Sequence, residues 1–282
     1  MRLIGTIPRG AAIGLGVFDG VHLGHREIVQ KSDAILTFHP HPDRVLNKNS
    51  QLEYLTSLRE MRALLQTLAV FRFTTRASKL PHGTFLEYIA HDICPSKIIV
   101  GDDFRFGYNQ LGTSDFLSEW AKTKGIGVEV VGLRGDGNQV IKSTVIRTWI
   151  SSGDVDRACQ WLGHPYPLFG TVIRGKGTGK TLGFPTANLV LSRHKCVPGF
   201  GVYNAVAQWG EKRVSGIVYI GRRPTLGYGF AVELHIPGFS GDLYGRRLQV
   251  WINRRIRGEM KFENVADLVD QITRDIRELS PF

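Results

Sequence analysis

The stretch that decides the fold of the first half is Gly16-Val17-Phe18-Asp19-Gly20-Val21-His22-Leu23-Gly24-His25, which follows an apolar run from residue 12. A strand that enters a glycine turn and then a helix presents free backbone N–H groups at the helix start, and these favour anions. His22 and His25 are three residues apart and therefore share one face of the first helical turn. We predict that both histidines donate to phosphate oxygens there. The other predicted phosphate-site residues of this stretch are Gly16, Asp19, Gly20 and Gly24.

Two other interpretations of this stretch are a metal-binding histidine pair and two surface histidines on a glycine turn. A metal site usually needs a third ligand nearby, and the segment holds no cysteine and no further histidine. The stretch also lacks the GxxxxGK[ST] spacing of a Walker loop. The phosphate interpretation is therefore favoured.

Length and composition indicate a two-domain protein of the reducing cytoplasm. The chain has 282 residues, of which 42% are hydrophobic and 22% charged, as is typical of globular proteins. Cys94, Cys159 and Cys196 are isolated and odd in number, so a disulfide framework is not indicated. The N-terminal residues do not resemble a signal peptide, and no apolar run reaches the roughly 20 residues of a membrane span. We therefore expect no membrane association.

The formal net charge of +11 is compatible with nucleic-acid binding, but the positive charge is not spread evenly along the chain. Residues 166–282 hold 17 of the 36 Lys and Arg residues but only 9 of the 25 Asp and Glu residues. The positive excess is therefore concentrated in this half. The basic residues of this half include Arg174, Lys176, Lys180 and the run Arg254-Arg255-Ile256-Arg257. Such charge suits polyphosphate ligands or RNA, and a solvated basic face is also common.

Hydrophobic periodicity predicts a Rossmann-like parallel α/β sheet for the first half, because short apolar runs alternate with helical patterns. The predicted strands are residues 12–18, 34–38, 97–100 and 127–131. One helix is predicted to begin at His22. Four more are predicted at residues 58–68, 116–124, 143–151 and 155–162, and Asp154 is the predicted N-cap of the last one. The prolines of His39-Pro40-His41-Pro42 predict a loop.

The segment His164-Pro165-Tyr166-Pro167 is the predicted linker, because two prolines within four residues stop both helices and strands. Beyond it, β-rich runs at 169–173, 202–207, 213–220, 231–235 and 248–253 alternate with glycine-rich turns, which predicts an antiparallel barrel or sandwich. A final helix capped by Asn264 should cover one side of it with an apolar stripe. The predicted stripe consists of Val265, Leu268, Val269, Ile272, Ile276 and Leu279.

Four segments of the first half resemble the FMN adenylyltransferase module of bacterial bifunctional riboflavin kinase/FAD synthetases. They are residues 16–25, Thr37-Phe38-His39-Pro40-His41-Pro42, Val100-Gly101-Asp102-Asp103-Phe104-Arg105-Phe106-Gly107 and Lys142-Ser143-Thr144-Val145-Ile146-Arg147. The last is similar to the family's Ser-Ser-Thr-x-Ile-Arg motif, with Lys142 in place of the first serine.

The second half resembles the riboflavin kinase module of the same family. Its motifs, in family order, are Gly177-Thr178-Gly179-Lys180-Thr181-Leu182-Gly183-Phe184-Pro185-Thr186-Ala187-Asn188, residues 198–203, Ile220-Gly221-Arg222-Arg223-Pro224-Thr225, Val232-Glu233-Leu234-His235, Asp242-Leu243-Tyr244-Gly245 and Lys261-Phe262. A lone Pro-Thr-Ala-Asn would be a weak match, whereas this ordered series is specific. The resemblance implies an α/β nucleotidyltransferase domain at 1–165, followed by a small antiparallel β-barrel kinase domain with a C-terminal helix at 166–282.

For the first half, the resemblance implies that the FMN phosphate attacks the α-phosphate of ATP and that pyrophosphate leaves. His22 and His25 would be catalytic, since this reaction needs positioning and charge neutralisation. The polyphosphate would also contact Ser143, Thr144 and Arg147, and Arg147 would act as a bidentate clamp. The flavin would be bordered by Asp103, Phe104, Arg105 and Phe106. The alternatives are a surface arginine at position 147 and core packing for the two phenylalanines.

For the second half, the glycine loop is rich in N–H groups and suits phosphates, although a simple glycine hairpin is an alternative. Its predicted ligand-binding members are Gly175, Gly177, Gly179 and Lys180. Thr186 and Asn188 face one side of an extended segment, and their neutral oxygens suit Mg²⁺ that arrives on ATP, the alternative being a pair that caps a strand. A carboxylate in a β-run usually faces solvent, but the resemblance implies that Glu233 is the general base for the riboflavin 5′-hydroxyl.

One departure from the family concerns the first crossover. Only 11 residues separate His25 from Thr37, so the first helix has about two turns, where the family usually has a longer one. The alternative is therefore a riboflavin kinase whose N-terminal module binds ligand but has weak or no FAD synthesis. An RNA-binding protein ranks below both, because no RNA-binding signature is present. The leading interpretation is a cytoplasmic enzyme that binds riboflavin, FMN and Mg-ATP, and homo-oligomerisation stays open.

Overall fold

The computed structural model describes residues 3–132, 135–136, 139–175, 177–222 and 230–279. The chain divides into two compact units, Met1–Ser143 and Thr144–Phe282. The boundary between the compact units, at residues 143 and 144, comes earlier in the chain than the predicted domain boundary at residues 165 and 166. The domain boundary at 165 and 166 remains a prediction. Lys176, one of the basic residues of the second half, and Arg223, Pro224 and Thr225 of the segment that begins at Ile220 lie outside the described residues.

The first unit is built on a parallel sheet, as predicted. Its strands are β1 (Leu3–Ile4), β2 (Ala12–Leu15), β3 (Ala34–His39), β4 (Leu68–Arg72), β5 (Lys97–Gly101), β6 (Gly127–Val131), β7 (Gly135–Asp136) and β8 (Gln139–Val140). Its helices are α1 (Leu23–Gln30), α2 (Pro42–Leu46), α3 (Leu58–Leu64), α4 (His82–Tyr88), α5 (Ser114–Lys124) and the first residue of α6 (Ser143–Ser152). Strands β4, β3, β2, β5 and β6 lie side by side in that order and are parallel, and β1 joins β4 as an antiparallel edge.

The sheet of the first unit is covered on both faces, which explains its continuous apolar strands. Alternate residues of each strand point to opposite faces. Ile13 and Ile98 belong to one buried cluster, whereas Ile35, Ile99 and Ile28 of α1 belong to a second one. Helix α1 therefore packs on the face opposite to the larger cluster.

Three expectations for this unit were wrong in part. The strand predicted for residues 12–18 ends at Leu15, because the chain turns there and Phe18 has a φ of +54°. The helix predicted for 58–68 ends at Leu64, because Leu65 is extended and buried and Leu68 already begins the parallel strand β4. The segment predicted as a loop from His39 to Pro42 instead begins helix α2 at Pro42. Proline is compatible with the first helical position, and the His41 side chain accepts the N–H of Asp43 as a cap.

The second unit is a closed antiparallel barrel with helices added to it. Its strands are β9 (Tyr166–Pro167), β10 (Gly170–Ile173), β11 (Thr186–Leu191), β12 (Gly201–Trp209), β13 (Lys212–Arg222), β14 (Phe230–His235) and β15 (Arg247–Gly258). Its further helices are α7 (Val155–Leu162), α8 (Thr178–Thr181) and α9 (Val265–Arg277). Six strands follow the order β10-β11-β14-β13-β12-β15, and pairing of β10 with β15 closes the barrel. The predicted linker contributes β9, which pairs with Trp251 and Ile252 of β15.

Helix α9 begins at the predicted cap, where the Asn264 side chain accepts the N–H of Asp267. The predicted stripe is half-buried from Leu268 onward, but Val265 is 60% exposed. The buried anchor of the helix is polar, because Asp275 accepts two hydrogen bonds from the Nε and one from the Nη2 of Arg257. Among the described residues, no helix has the length and apolar character needed to cross a membrane.

Candidate functional site

The turn between β2 and α1 is strained. Phe18, Gly20 and Val21 have φ angles of +54°, +89° and +46°. Glycine adopts such values at no steric cost, but a β-branched valine in the left-handed region is rare and costs about 1–3 kcal/mol. The Val21 N–H donates to the carbonyl of Phe18 at 3.0 Å, which closes the turn. Strain held in this way is frequent at functional sites.

Buried polar contacts hold this strained turn. The Gly20 N–H donates to Thr56 Oγ1 at 2.9 Å, and the Thr56 N–H donates to Asp19 Oδ1 at 3.0 Å. The Asp19 carbonyl accepts the Ser143 hydroxyl at 2.8 Å, so the segment that begins at Lys142 contacts the glycine turn of residues 16–25. Asp19, predicted as a phosphate-site residue, therefore shapes the turn through both its carboxylate and its carbonyl. Thr56 was not predicted.

The two histidines stack on each other at the start of α1. His22 occupies the N-cap position, and the ring centroids of His22 and His25 are 3.7 Å apart with an interplanar angle of 17°. Phe18 contacts His25 edge-on at 5.1 Å. A Cβ at Gly24 would lie 3.0 Å from the His22 ring, so glycine leaves room for this stack. The predicted shared face of the histidines is confirmed, whereas their role on phosphate remains a prediction.

His25 is held in its neutral form. Burial of the ring, with a smaller contribution from His22, lowers the pKa of His25 well below its usual value of 6.5. Its Nδ1 is buried and has no hydrogen-bond partner among the described residues. A neutral imidazole can still donate one N–H to an anion. An anion bound beside the ring would raise the pKa of His25, since opposite charge favours the protonated form of histidine.

The short helix α1 is anchored by a close approach to the sheet. A Cβ at Gly14 of β2 would lie 2.6 Å from Ile35 Cδ1, 2.7 Å from Ser32 Oγ and 2.9 Å from Ile28 Cγ2. The Ser32 hydroxyl donates to the Ile28 carbonyl at 2.6 Å and so closes the end of the helix. Glycine at this position thus lets an eight-residue helix rest directly on the strand.

The other predicted phosphate ligands begin helix α6. Ser143 lies in the first unit, whereas Thr144 and Arg147 belong to the second. Thr144 is exposed and Arg147 is half-buried one turn further along α6. Contact of the last two residues with a nucleotide remains a prediction.

The predicted flavin loop follows β5 and combines exposed polar residues with packed rings. Asp103 and Arg105 are exposed. Phe104 stacks on Phe106 at 5.4 Å, and Phe106 itself is buried and contacts Phe85 at 5.9 Å. Core packing accounts for the position of Phe106, while Phe104, which is half-buried, forms the accessible ring of the pair. The flavin contacts of all four residues remain predictions.

A row of polar side chains, two of them predicted site residues, crosses three adjacent strands of the barrel. Asn188 of β11 pairs with Glu233 of β14, and Glu233 pairs with Tyr219 of β13. Residues that pair directly across antiparallel strands lie on one face with Cβ atoms about 4.5–5.5 Å apart. The Thr186 hydroxyl donates to Glu233 Oε2 at 2.9 Å. The structure therefore brings the predicted metal ligands next to the predicted base.

The glycine loop packs against the same row. A Cβ at Gly175 would lie 2.2 Å from Asn188 Nδ2, and a Cβ at Gly179 would lie 2.4 Å from the Phe184 carbonyl and 3.2 Å from Thr186 Oγ1. Gly177 has a φ of +74° and precedes the short helix α8, in which Lys180 is exposed. Gly175 and Gly179 are thus required by close packing.

Sequence reasoning missed two neighbours of Glu233. His235 is buried, and its Nδ1 lies 2.9 Å from the Pro185 carbonyl. Tyr219 donates its hydroxyl to Glu259 Oε1 at 2.9 Å. His235 and Glu233 belong to the quoted segment Val232–His235, so alternation along a strand would have placed His235 on the face of Glu233. Tyr219 could not be placed without the register of β13.

The oxygen atoms of Thr186, Asn188 and Glu233 suit a metal ion whose remaining ligands are waters or phosphate oxygens. Thr186 and Asn188 offer neutral oxygens beside one carboxylate, and hard cations such as Mg²⁺ take oxygen ligands and keep several waters or phosphates. In the described part of the chain, no group of three or more His, Cys, Asp or Glu side chains is arranged to hold a metal.

Family models match both halves of the chain. A model described as FAD synthetase matches residues 5–145, and a model described as riboflavin kinase matches residues 162–281. The first match includes the stacked histidines and Ser143, and the second includes the glycine loop, Thr186, Asn188 and Glu233.

Curated relatives are similar over nearly the whole chain. A bifunctional riboflavin kinase/FMN adenylyltransferase from Listeria monocytogenes is 31% identical and covers 96% of this chain and 91% of its own length. The protein of that name from Escherichia coli K12 is 33% identical over 94% of this chain and 90% of its own. The Bacillus subtilis protein is 30% identical over 95% and 91%.

A solved structure shares the fold across both halves. The crystal structure of a protein named macrolide-efflux protein, from Streptococcus pneumoniae, matches with a TM-score of 0.85 at 28% identity. The match covers 98% of this chain and 96% of that one. The efflux name belongs to the Streptococcus protein, and for this chain the match supports the fold.

Proposed function

The chain belongs to the bifunctional riboflavin kinase/FMN adenylyltransferase family, and we propose that its second half phosphorylates riboflavin to FMN while its first half adenylylates FMN to FAD. Both enzymatic domains are present, so the protein is a transferase of flavin-cofactor biosynthesis. The observation that carries the assignment is the match of one family model to each half, together with bifunctional relatives that are similar over nearly the whole chain. The short first crossover motivates the kinase-only alternative and the net charge motivates the RNA-binding one, but the matches of both family models and of the bifunctional relatives favour two enzymatic activities over either alternative.

In the first half, the chain would position two phosphates and neutralise charge. An oxygen of the FMN phosphate attacks the α-phosphorus of ATP, the bond to the bridging oxygen breaks, and pyrophosphate leaves. The nucleophile is already an anion, so no side chain has to remove a proton. His22 and His25 would donate to the phosphate oxygens as charge develops, from a turn held by Thr56 and Ser143. Fixed donors of this kind are where such reactions gain their rate.

In the second half, Glu233 would act as the general base. It takes the proton of the riboflavin 5′-hydroxyl, the oxygen bonds to the γ-phosphorus of ATP, and ADP leaves. The Thr186 hydroxyl orients the carboxylate for this role. The family uses ATP, generally with a divalent metal; we propose Mg²⁺, held by Thr186 and Asn188, where it would neutralise charge on the phosphates.

The substrates proposed for the chain are riboflavin, FMN and ATP. We also propose a cytoplasmic location, because Cys94, Cys159 and Cys196 are all free thiols, as expected of a reducing compartment. Burial raises the pKa of Cys159 to about 12, so this thiol is unreactive.

Incubation of the full chain with riboflavin, ATP and Mg²⁺ tests the proposal, with FMN and FAD resolved by chromatography. We expect both products to form in that order. Replacement of His22 by Ala should abolish FAD formation and leave FMN formation unchanged. FMN without any FAD from the unmodified chain would favour the kinase-only alternative, and the absence of both flavins would overturn the proposal.

A further inference from the structure

Next to Glu233 lies a tyrosine–carboxylate pair that the reactions above do not use. The Tyr219 hydroxyl donates to Glu259 Oε1 at 2.9 Å. The ring of Tyr219 runs along its own strand over Gly221, because a Cβ there would lie 2.0 Å from the hydroxyl oxygen and 2.9 Å from Glu259 Oε1. Gly221 thus makes room for both members. Tyr219 is half-buried, so solvent and ligands can reach it.

The position of this pair relative to Glu233 is set by strand register. Glu233 stands between Asn188 on β11 and Tyr219 on β13. Its Oε2 is held from the β11 side by Thr186. If the metal and the ATP phosphates lie on that side, as proposed, the attacking hydroxyl must come from the other, because attacking and leaving oxygens are in line in phosphoryl transfer. The β13 side is the side of Tyr219.

The chemistry of the pair suits a ligand rich in hydroxyl groups. The Tyr219 proton is committed to Glu259, so the phenol oxygen presents lone pairs, and the Glu259 carboxylate is an acceptor only. Burial, the hydrogen bond to Glu259 and the charges of Glu259 and Glu233 together raise the pKa of Tyr219 to about 12, so the phenol stays protonated. Two acceptors carried by the strand next to that of the general base, or held against it, are therefore available to hydroxyl donors of riboflavin.

We propose that Tyr219, oriented by Glu259, is a specificity residue of the kinase half that accepts a hydrogen bond from a secondary hydroxyl of the ribityl chain. The inference rests on the proposed function and deepens it. It assigns recognition of the polyol to the β13 side of Glu233. The pair would select a substrate that carries the recognised secondary hydroxyl, because a substrate without it leaves the acceptors unpaired.

The test uses the full chain with Tyr219→Phe, which keeps the ring and removes the hydroxyl. We expect the KM for riboflavin to rise roughly tenfold, the effect of losing one hydrogen bond, with kcat and the KM for ATP nearly unchanged. Glu259→Gln should raise the same KM by a smaller factor. Glu211→Gln, an exposed carboxylate on the β12–β13 hairpin, is the matched control and should leave all constants unchanged.

Riboflavin analogues that lack the 2′-, 3′- or 4′-hydroxyl make the test specific. The analogue that lacks the recognised hydroxyl should bind the unmodified enzyme about tenfold more weakly than riboflavin does. Its affinity should not fall further in Tyr219→Phe, because the hydrogen bond is already absent, as in a double-mutant cycle. An unchanged riboflavin KM in Tyr219→Phe, or equal losses for every analogue, would overturn the inference while FMN formation stands. If Tyr219→Phe does not fold, an unchanged KM in Glu259→Gln overturns it equally. Absence of FMN with the unmodified chain would refute the proposed function itself.

Discussion

Glu233 depends on its nearest neighbours, since Thr186 orients its carboxylate and Asn188 lies opposite on the next strand. Glu233→Gln keeps the shape and the bond from Thr186 but cannot accept a proton. We expect the rate of riboflavin phosphorylation to fall by roughly 10²–10⁴-fold, the usual contribution of a general base. FAD formation from added FMN should continue. A variant with native circular dichroism that phosphorylates riboflavin at the unmodified rate would contradict the role.

His25 gives the first unit a pH-dependent stability. Its folded pKa lies well below 6.5, so under mildly acidic conditions the unfolded chain binds a proton that the folded chain does not. The free energy of unfolding therefore falls as pH drops below about 6.5, by at most about 1.4 kcal/mol per pH unit. Above pH 6.5 both states are neutral at this residue and its contribution is fully present.

His25→Gln should reduce this dependence. Scanning calorimetry of the full chain at pH 7.5 and 5.5 measures it, and the transition of the first unit is the one that coincides with loss of FAD formation. We expect a smaller decrease in Tm between the two pH values for the variant than for the unmodified chain. An equal decrease would assign the acid sensitivity to other groups.

At the residue scale, the sequence could supply spacing but not distant partners. The three-residue interval between His22 and His25 was enough to predict a shared face. The contacts of Gly20 and Asp19 with Thr56, and of Asp19 with Ser143, join residues 36, 37 and 124 positions apart. No local periodicity encodes such pairs, because they depend on how strands and helices pack.

At the scale of elements, Gly14 is the position on which the short helix α1 depends. Gly14→Ala would place a Cβ within 3 Å of Ile35, Ser32 and Ile28, so the helix must shift. We expect the first unit to lose about 1–3 kcal/mol, as overpacked cores do, and FAD formation to fall because the histidines move with the helix. FMN formation from riboflavin should be unaffected.

Gly83→Ala is the matched control for this substitution. Gly83 lies in α4 of the same unit, and a Cβ there meets no atom within 4 Å. We expect unchanged or slightly higher stability, because alanine favours helix. If both variants lower FAD formation equally, the close packing of α1 is not what holds the phosphate turn.

Elements were predictable where the apolar period was clear and the ends were marked. Helix α7 and its Asp154 cap, strand β6 and the Asn264 cap of α9 follow the sequence patterns. The error at residues 65–68 arose because leucines at helical spacing continue into β4, and short apolar runs do not distinguish a helix from a buried strand. Strand β9 was not predicted, because a strand of two residues is too short to show an alternating apolar pattern.

At the scale of the whole molecule, the second unit contains more than the barrel. Val155, Ala158 and Leu162 of α7 are fully buried or nearly so. Helix α7 is joined to β15 by two further contacts: the Arg255 N–H donates to Asp156 Oδ2 at 3.0 Å, and the Cys159 thiol lies 3.5 Å from the Ile252 carbonyl. The barrel therefore uses a helix that precedes the predicted boundary at 165 and 166.

A fragment of residues 144–282 should consequently be more stable than one of residues 166–282. Removal of α7 exposes the apolar surface that Val155, Ala158 and Leu162 cover, which costs on the order of 5 kcal/mol, and leaves the Arg255 N–H without its carboxylate. Small domains are stable by only about 5–15 kcal/mol, so the shorter fragment should be at the limit of folding. We expect the longer fragment to form FMN from riboflavin and ATP and to unfold at a clearly higher temperature by circular dichroism. Equal Tm values would mean that α7 contributes nothing to the barrel and that the boundary predicted from the prolines is also the physical one.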